Sequence, residues 1–279
     1  MILVIGATAH FGRQTVEALV GAGEQVRALT RDPASAGLPE GVEVVRGDLE
    51  KPETFGAALA DVTSVFLVLP YGLDATAFIE AAAKAGVERI VFLSSGAIVD
   101  GLDTQRDVIA EYHAGVEKAI TATGVDSTMI RILFPAINSL AFGMQLKGGD
   151  VVRGAYAGAA YSMIHERDVA DVAARVLTTG GHAGRVYELT GPQSLTQVEQ
   201  IQVLGEALGR PLRFEEVDDK VLREQMGRFM DPAFVNALFD LMGATVGRPA
   251  PLNSLVKEIT GHEPRTYAQW ASEHVADFA

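Results

Sequence analysis

A histidine and a glutamate four residues apart, His113 and Glu117, form the pair in this sequence best suited to acid–base chemistry. The surrounding segment has helical periodicity, and at this spacing both side chains lie on one helix face, where they can hydrogen-bond. Histidine has an ordinary pKa of about 6.5, so His113 could donate a proton or position a ligand near neutral pH. A helix-surface pair without a chemical role is an equally good interpretation of the same spacing.

A glycine-containing turn at the start of the chain predicts a pyrophosphate site. The apolar run Ile2–Ile5 leads into Gly6-Ala7-Thr8-Ala9-His10-Phe11-Gly12 and then into a helical segment. Such a turn places phosphate groups on the positive end of the helix. A third glycine is usual at the middle position, where Ala9 stands, and its methyl group is a small intrusion that could weaken or shift binding. A plain strand–helix turn is the alternative. The residues expected to contact the cofactor here are Gly6, Thr8, Ala9, His10, Phe11 and Gly12.

The end of the second predicted strand, Gln25–Thr30, favours NADP(H) over NAD. Sites for NAD usually have an acidic residue there, which accepts a hydrogen bond from the ribose 2′-hydroxyl. Here Arg31 follows the strand, and its guanidinium suits a 2′-phosphate because it donates two parallel hydrogen bonds. Asp32 lies past the strand end, and an exposed Arg31–Asp32 pair is the alternative.

A second acidic position is expected near the adenine. Asp48 and Leu49 follow the third predicted strand, and we expect both to contact the cofactor. Asp48 could equally be the N-cap of the next turn.

Up to Ile132 the sequence alternates short apolar runs with segments of helical period, which predicts an α/β protein with a doubly wound, Rossmann-type parallel sheet. The runs are rich in Val, Ile and Leu, as expected for parallel strands that are buried on both faces. The predicted strands are Ile2–Ile5, Gln25–Thr30, Val42–Arg46, Val65–Leu69, Arg89–Ser94 and Thr128–Ile132. The predicted helices are Gly12–Val20, Pro52–Leu59, Ala75–Ala85 and Asp107–Thr123.

The second half of the chain predicts a smaller, mostly helical substrate domain. Thr196–Glu199 is a capping box ahead of an apolar stripe that stops at Gly209. Asp231-Pro232 predicts another helix start, and Thr266 a last one. We therefore predict a cofactor domain over residues 1–134, with segments near residues 162–192 returning to it, and a helical cap over residues 135–279.

Composition excludes several functions. The chain has 279 residues, no cysteine and a net charge of −13, so thiolate chemistry is absent and nucleic acid is a poor partner. No apolar run approaches the roughly 18 residues that a membrane span needs, and the short apolar start predicts a strand, not a signal peptide. We find no pattern of metal ligands. The expected location is the cytoplasm, with a small-molecule substrate. A homodimer is left open.

Seven segments together resemble the NmrA-like family of atypical short-chain dehydrogenases, which includes triphenylmethane and quinone reductases. The resemblance extends over essentially the whole chain. It implies an NADP(H)-binding Rossmann domain, a small C-terminal substrate domain and a pocket between them, with His113 and Glu117 near the nicotinamide. The segments are the turn Gly6–Gly12, Val26–Pro33, Gly47–Leu49, Ala85–Ser95, the His113–Glu117 helix, Ile164–Ala170 and Tyr187–Pro192.

The proton relay of ordinary short-chain dehydrogenases is missing. Those enzymes place a lysine four residues after a catalytic tyrosine, which lowers the pKa of the phenol. Tyr112 is on the right helix, but position 116 is Val116 and the nearest lysine, Lys118, points elsewhere. We therefore expect Tyr112 to have an ordinary pKa and to pack more than to catalyse, with His113 the better catalytic candidate.

Ligands of open α/β sheets bind at the carboxyl ends of the strands, so residues there are further candidates. Asn138 could bond a carbonyl or cap a helix over Ser139–Leu146, and His165 could equally be structural. We assign Leu69, Pro70, Ser94 and Glu117 to the cofactor, and Tyr71, Ser95, Phe134, Asn138 and His165 to the substrate pocket.

Two functions stay open at this point. The first is an NADPH-dependent reductase of a conjugated, quinone-like or aromatic molecule, which needs little acid catalysis from the protein. The second is a non-catalytic NADP(H)-sensing regulator that acts through a protein partner.

Overall fold

A computed structural model describes residues 1–278 of the chain. Its strands, numbered in chain order, are β1 (Ile2–Ile5), β2 (Val26–Thr30), β3 (Glu43–Arg46), β4 (Ser64–Leu67), β5 (Arg89–Ser95), β6 (Asp126–Ile132), β7 (Val151–Gly154), β8 (Ala160–Tyr161), β9 (Arg185–Glu188), β10 (Leu195–Thr196) and β11 (Arg213–Glu216). Its helices are α1 (His10–Gly21), α2 (Phe55–Leu59), α3 (Thr76–Lys84), α4 (Val108–Ala122), α5 (Gly143–Leu146), α6 (Glu166–Thr178), α7 (Gln197–Leu208), α8 (Asp219–Met226), α9 (Pro232–Gly243), α10 (Leu255–Thr260) and α11 (Tyr267–Glu273).

The central sheet has seven parallel strands in the order β3-β2-β1-β4-β5-β6-β9. The chain builds outward from β1 in one direction and then returns to β4 on its other side, so the strand order reverses between β1 and β4. In open α/β sheets a crevice for ligands forms at this reversal. The predicted Rossmann-type fold class is confirmed.

Two apolar cores hold the sheet between layers of helices. On one face, side chains of α1 and α6 pack on the strands, as with Val16 and Val169. On the other face, α2, α3 and α4 contribute the buried cluster, as with Phe78 and Ile120. The strands therefore need apolar residues on both sides, and every residue of β1 and β4 is buried.

The second half of the chain divides its elements between two places. Helix α6 packs on α1, and β9 pairs with β6 at the edge of the main sheet. Helices α7 and α11 instead enclose a separate core around Tyr267 and Trp270, together with the two-stranded pairs β8–β10 and β7–β11. The domain boundary near residue 134 stays a prediction. Phe11 packs against the core under α1 and α6 and also against the separate core around Tyr267 and Trp270.

Local sequence signals explain where the helices of the second half begin. Thr196 and Glu199 form the expected capping box, and Gly209 ends α7 in the left-handed conformation with a φ of +63°. Thr266 starts α11 with a second capping box. One predicted helix differs, because Ala136–Phe142 forms a 3₁₀ segment and only Gly143–Leu146 is α-helical. Within residues 1–278, no helix combines the length and apolar character needed to cross a membrane.

The contact between Gly12 and the turn before it leads to a stability prediction. A Cβ atom at Gly12 would lie 2.2 Å from the Gly6 carbonyl oxygen, so Gly12→Ala should push α1 away from β1. We expect a loss of about 1–3 kcal/mol, as for overpacking of a core. In Gly21, at the other end of the same helix, a Cβ would meet nothing within 4 Å. Gly21→Ala is the matched control and should keep or slightly raise the melting temperature. Equal melting temperatures for both variants would contradict the close contact.

Candidate functional site

The turn between β1 and α1 is shaped by two close backbone approaches. Gly6 has a φ of +74°, and a Cβ there would lie 2.9 Å from the Val68 carbonyl oxygen at the end of β4. Ala9 has an ordinary extended conformation, with φ −93° and ψ 166°, and its amide donates to the Gly6 carbonyl at 2.9 Å. Alanine is therefore compatible with the backbone at the position where a third glycine was expected.

The backbone N–H groups at the N-terminus of α1 are not neutralised by side chains of the helix. No side chain caps the helix, and its first turn contains no acidic residue. The first backbone N–H groups of a helix carry a partial positive charge, so this end of α1 is suited to an anion such as a pyrophosphate. His10 is exposed beside it, whereas Phe11 faces inward.

Arg31 is available for a ligand. Its neighbour Asp32 accepts hydrogen bonds from the Ala34 amide at 3.2 Å and from the Ser35 hydroxyl at 2.8 Å, and so caps the following 3₁₀ turn. The alternative Arg31–Asp32 pair is therefore not formed. Among residues 1–278, Arg31 has no hydrogen-bonding or ion-pair partner, and it lies on the wall of an open cleft.

This cleft has a volume of about 320 Å³ and lies at the carboxyl ends of β1, β2, β3 and β4. Asp48 lies on its wall and also accepts a hydrogen bond from the Glu50 amide at 3.1 Å, as expected for a residue that caps the turn, and its contact with the adenine stays a prediction. Leu69 packs against the buried cluster below α3, and its neighbour Pro70 lines the cleft. Of the residues assigned to the cofactor, the cleft brings together Gly6, Thr8, Arg31, Asp48, Leu49 and Pro70.

The expected hydrogen-bonded pair of His113 and Glu117 is not formed. Glu117 accepts two hydrogen bonds from Arg131 of β6, at 2.9 Å and 2.7 Å, and a third from the Ser94 hydroxyl at 2.5 Å. Arg131 and Ser94 are each only 3% exposed. The carboxylate of Glu117 is turned toward the strands because a buried guanidinium requires a charged partner. Ser94 and Glu117 therefore belong to a buried network, and their contact with the cofactor stays a prediction.

His113 is held by its own helix. Its Nδ1 lies 2.8 Å from the Ile109 carbonyl oxygen, and its ring stacks on Phe92 with the ring centroids 6.2 Å apart. A carbonyl oxygen only accepts, so Nδ1 carries the proton and Nε2 of the neutral ring is an acceptor. Burial lowers the pKa of His113, so the ring is neutral at pH 7. A role in accepting a hydrogen bond thus fits better than donation of a proton.

Tyr112 is tied to the backbone after β4. Its hydroxyl lies 2.8 Å from the Leu73 carbonyl oxygen and 3.1 Å from that of Pro70, so its proton is directed at backbone acceptors. Burial, with a further contribution from Asp74, raises the pKa of Tyr112 to about 12. The expectation of an ordinary pKa is wrong, and the correction makes the phenol an even weaker acid.

The five substrate-pocket candidates are spread over the carboxyl edge. Tyr71 packs against Tyr112 and Phe234 of α9, with ring centroids 5.1 Å and 4.6 Å away. Phe134 packs against Tyr161 with the centroids 4.0 Å apart and the rings tilted by 32°. Ser95 is 7% exposed, and its hydroxyl oxygen accepts a hydrogen bond from the Ala97 amide.

The other two candidates have local structural roles. His165 is 1% exposed and caps α6, where its Nδ1 accepts a hydrogen bond from the Arg167 amide at 3.1 Å. Burial, with nearby arginines, lowers the pKa of His165 to about 3, so its ring stays neutral. The structural alternative thus has a definite form, helix capping, and a role of His165 in the substrate pocket stays a prediction. Asn138 is exposed within the 3₁₀ segment and does not start it, because the N-cap there is Pro135.

Sequence reasoning missed Arg131. An arginine between two isoleucines at the buried end of a strand is a signal for a buried ion pair, since an unpaired charge would be too costly there. One group of metal-ligand type also lies among the described residues, formed by Asp168, Asp171 and His262. Arg265 bonds both carboxylates, so a protein cation already neutralises the group.

The strand order, the uncapped helix after β1 and the cleft with its free arginine define a Rossmann-type dinucleotide-binding fold. A model of the NmrA-like family matches residues 1–245, and the chain belongs to that family.

Two relatives match along their whole length. The chain is 36% identical over 283 residues to a (4-alkanoyl-5-oxo-2,5-dihydrofuran-3-yl)methyl phosphate reductase of Streptomyces griseus, covering 100% of this chain and 99% of that protein. It is 31% identical over 286 residues to an NAD(P)H azoreductase of Xenophilus azovorans, with the same coverage of 100% and 99%.

Two solved structures share the fold. The Escherichia coli NADPH-dependent quinone oxidoreductase in complex with NADPH superposes with a TM-score of 0.82 at 24% identity, covering 98% of this chain and 99% of that one. The Citrobacter triphenylmethane reductase with NADP(H) gives 0.77 at 21% identity, covering 98% and 99%. The cofactor predicted from the sequence is the one present in both complexes.

Arg31 allows a direct test of cofactor choice. If its guanidinium binds the 2′-phosphate, Arg31→Ala should weaken NADPH by about 1.5–3 kcal/mol, the range for hydrogen bonds to charged groups, and leave NADH almost unchanged. Calorimetric titration of both dinucleotides measures the difference. Arg185→Ala is the matched control, because Arg185 is also exposed but lies at the start of β9, the opposite edge of the sheet. Equal losses for the two cofactors would refute the assignment.

Proposed function

We propose that this protein is an NADPH-dependent reductase of a small conjugated molecule, quinone-like or aromatic, whose reduced form stabilises its own negative charge. The choice of acceptor rests on the hydrogen bonds and protonation of two side chains at the carboxyl edge of the sheet. The Tyr112 proton is committed to backbone carbonyls, and His113 is neutral with Nε2 as an acceptor. Neither group is set up to protonate an alkoxide. Support for a reductase comes from the two full-length relatives, both named as reductases.

The residues present fit the cofactor. The uncapped start of α1 suits the pyrophosphate, and a side chain at Gly6 would close the approach next to Val68. Arg31 would hold the 2′-phosphate, while Asp48 and Leu49 would border the adenine end of the cleft. When bound, NADPH supplies a hydride, so a quinone that gains this hydride and one proton from water leaves as the hydroquinone.

In this proposal, the protein's own side chains orient the two reactants and shield them. Tyr112 and Tyr71 hold the segment after β4 against α4 and α9, so the wall beside Pro70 is fixed. His113 Nε2 would accept a hydrogen bond from a ligand N–H or O–H group at the same edge. Positioning of the two reactants, and not proton transfer by the protein, supplies the catalysis in this proposal.

NADPH consumption with a panel of quinones and azo compounds tests the function. Turnover of at least one quinone, dependent on the protein and faster with NADPH than with NADH, is expected. Tight NADPH binding without turnover of any acceptor would favour the non-catalytic regulator instead, and a redox-dependent protein partner should then be sought.

Two substitutions on α4 separate the roles of neighbouring residues. Tyr112→Phe should keep most of the reductase activity, because its phenol has a pKa of about 12 and donates only to backbone carbonyls. His113→Ala should lower kcat/KM about twofold to tenfold, the value of one lost hydrogen bond between a neutral ring and a ligand. Steady-state kinetics of both variants, with one quinone that the wild type reduces, measures these effects. An inactive Tyr112→Phe beside an active His113→Ala would reverse the assignment.

The pH profile provides an independent check. The pKa of His113 is lowered, so the ring loses its proton at a pH below the ordinary pKa of histidine. The ring is therefore neutral at every alkaline pH. We therefore expect kcat/KM to be flat from about pH 7 to pH 9. If protonated His113 were the proton donor, kcat/KM would instead fall about tenfold for each pH unit above its pKa.

A further inference from the structure

One histidine side chain, that of His274, lies between two carboxylates. Its Nε2 is 2.8 Å from Glu166 Oε1, and its Nδ1 is 2.6 Å from Asp277 Oδ2. Glu166 is the first residue of α6, His274 comes directly after α11, and Asp277 lies in the 3₁₀ turn Val275–Phe278 that follows. A single imidazole ring therefore connects three elements of the fold.

The two contacts require one proton more than a neutral ring supplies. A neutral histidine ring has one N–H and one bare nitrogen, and an ionised carboxylate only accepts hydrogen bonds. A neutral His274 could therefore donate to only one carboxylate, and its bare nitrogen would face an oxygen atom of the other. Both hydrogen bonds form together when the ring is doubly protonated or, with the same proton count, when one carboxyl group is protonated. The arrangement therefore holds one additional proton.

Burial makes Glu166 dependent on this proton. The residue is 2% exposed, and within residues 1–278 only His274 donates a hydrogen bond to its carboxylate. The second oxygen, Oε2, has no hydrogen-bond partner there and lies 3.4 Å from His165 Nδ1, which already accepts from the Arg167 amide. His165 is neutral, so it does not offset the charge. A buried carboxylate is costly without a partner, and His274 supplies that partner.

The other groups around the ring also favour a positive charge on it. Glu273 of α11 pairs with Arg167 of α6 at 3.2 Å, so these two charges offset each other. Trp270 stacks on His274 with the ring centroids 4.6 Å apart and the ring planes 23° apart, and an aromatic face attracts a cation. The two carboxylates in contact with the ring then face one cation when His274 is protonated and none when it is neutral.

The contact joins two parts of the molecule that have separate cores. Helix α6 packs on α1 beside the main sheet, whereas α11 belongs to the core around Tyr267 and Trp270. Phe278, in the same turn as Asp277, is buried in that second core. A Cβ at Gly143 would lie 3.9 Å from the Phe278 ring, so the turn also packs on α5. The position of the turn therefore affects how the second core is closed.

We propose that His274, Glu166 and Asp277 form a proton-dependent latch, which fastens the turn Val275–Phe278 to α6 while the additional proton is bound and releases the turn when the proton is lost. Histidine is the side chain that changes its charge between about pH 5 and pH 8, so the release falls in the physiological range. After release the neutral ring keeps its hydrogen bond to buried Glu166, because Asp277, whose side chain is 52% exposed, can bond to water instead. The contact with Asp277 is the one that opens.

The sign of the effect follows from the proton that the folded chain binds. The latch stabilises the fold at pH values at which the proton is bound, and this contribution is lost as the pH rises. The latch is on the side of the sheet that α1 and α6 cover, whereas His113 and Tyr112 are on α4 at the other side. The inference therefore does not rest on the proposed reductase function, and the failure of one leaves the other standing.

Thermal unfolding of the full chain without cofactor, at pH 6 and at pH 9, tests the latch. His274→Gln keeps an N–H group for Glu166 but cannot bind the additional proton. Its melting temperature should be about 2–5 °C below that of the wild type at pH 6, and the difference should shrink to about 1 °C or less at pH 9. A difference of the same size at both pH values would show a role in packing only and would overturn the latch.

Two further variants complete the thermal test. His10→Gln makes the same substitution at an exposed position at the start of α1 and should unfold like the wild type at both pH values. Asp277→Asn removes one carboxylate of the latch and should also lower the melting temperature at pH 6. Because His274→Gln already opens that contact, the double variant should be about as stable as His274→Gln alone. Losses that simply add would refute the coupling.

Hydrogen exchange of the backbone amides locates the release. The Asp277 amide donates to the His274 carbonyl oxygen at 3.0 Å, so its protection reports on the turn. After correction for intrinsic exchange, the wild-type turn should be at least tenfold more protected at pH 6 than at pH 9, and His274→Gln should be weakly protected at both. The amides of α1 should keep their protection throughout. Equal protection of the wild-type turn at both pH values would overturn the release.

Discussion

The ion pair between Arg131 and Glu117 is the interaction on which the carboxyl edge of the sheet depends. It joins β6 to α4, and through Ser94 it also joins α4 to β5. The guanidinium is 3% exposed, and the Glu117 side chain is 13% exposed. Removing one partner of such a pair typically costs about 3–5 kcal/mol, because the other charge stays buried without compensation. The position of α4 over the sheet, and with it that of His113 and Tyr112, follows from this contact.

The same pair determines which chemistry the edge can perform. Glu117 is neutralised by an arginine, so it is not free to fix the ring of His113, and that ring is held instead by the carbonyl of Ile109. Tyr112 has no lysine partner and is directed toward the backbone after β4. Glu117 and Tyr112 therefore anchor α4. The site consequently offers mainly hydrogen-bond acceptors and aromatic side chains, and few acids.

The fold could be predicted from the sequence because its signals are local. Apolar runs such as Ile2–Ile5 need burial on both faces, and Gly6 and Gly12 permit the close turn after the first strand. Capping residues such as Thr196 and Thr266 lie at the starts of their helices as predicted.

The availability of Arg31 depended on the neighbouring cap formed by Asp32, which the sequence Asp-Pro only suggests. The partners of Glu117 could not be predicted, because Arg131 and Ser94 approach it from distant strands. Helical spacing shows which side chains share a face, but it does not show what lies opposite that face.

The open position of Arg31 has a consequence for the conditions under which the protein tells two dinucleotides apart. If Arg31 binds the 2′-phosphate as proposed, the preference for a phosphorylated ribose depends on a charge in contact with water, and not on the shape of a closed pocket. At physiological ionic strength the Debye length is about 8 Å, and it shrinks to about 3 Å in molar salt. Under that proposal the solvent tunes the discrimination at this cleft, which would be sharp in dilute buffer and weaker in concentrated salt without any movement of the polypeptide.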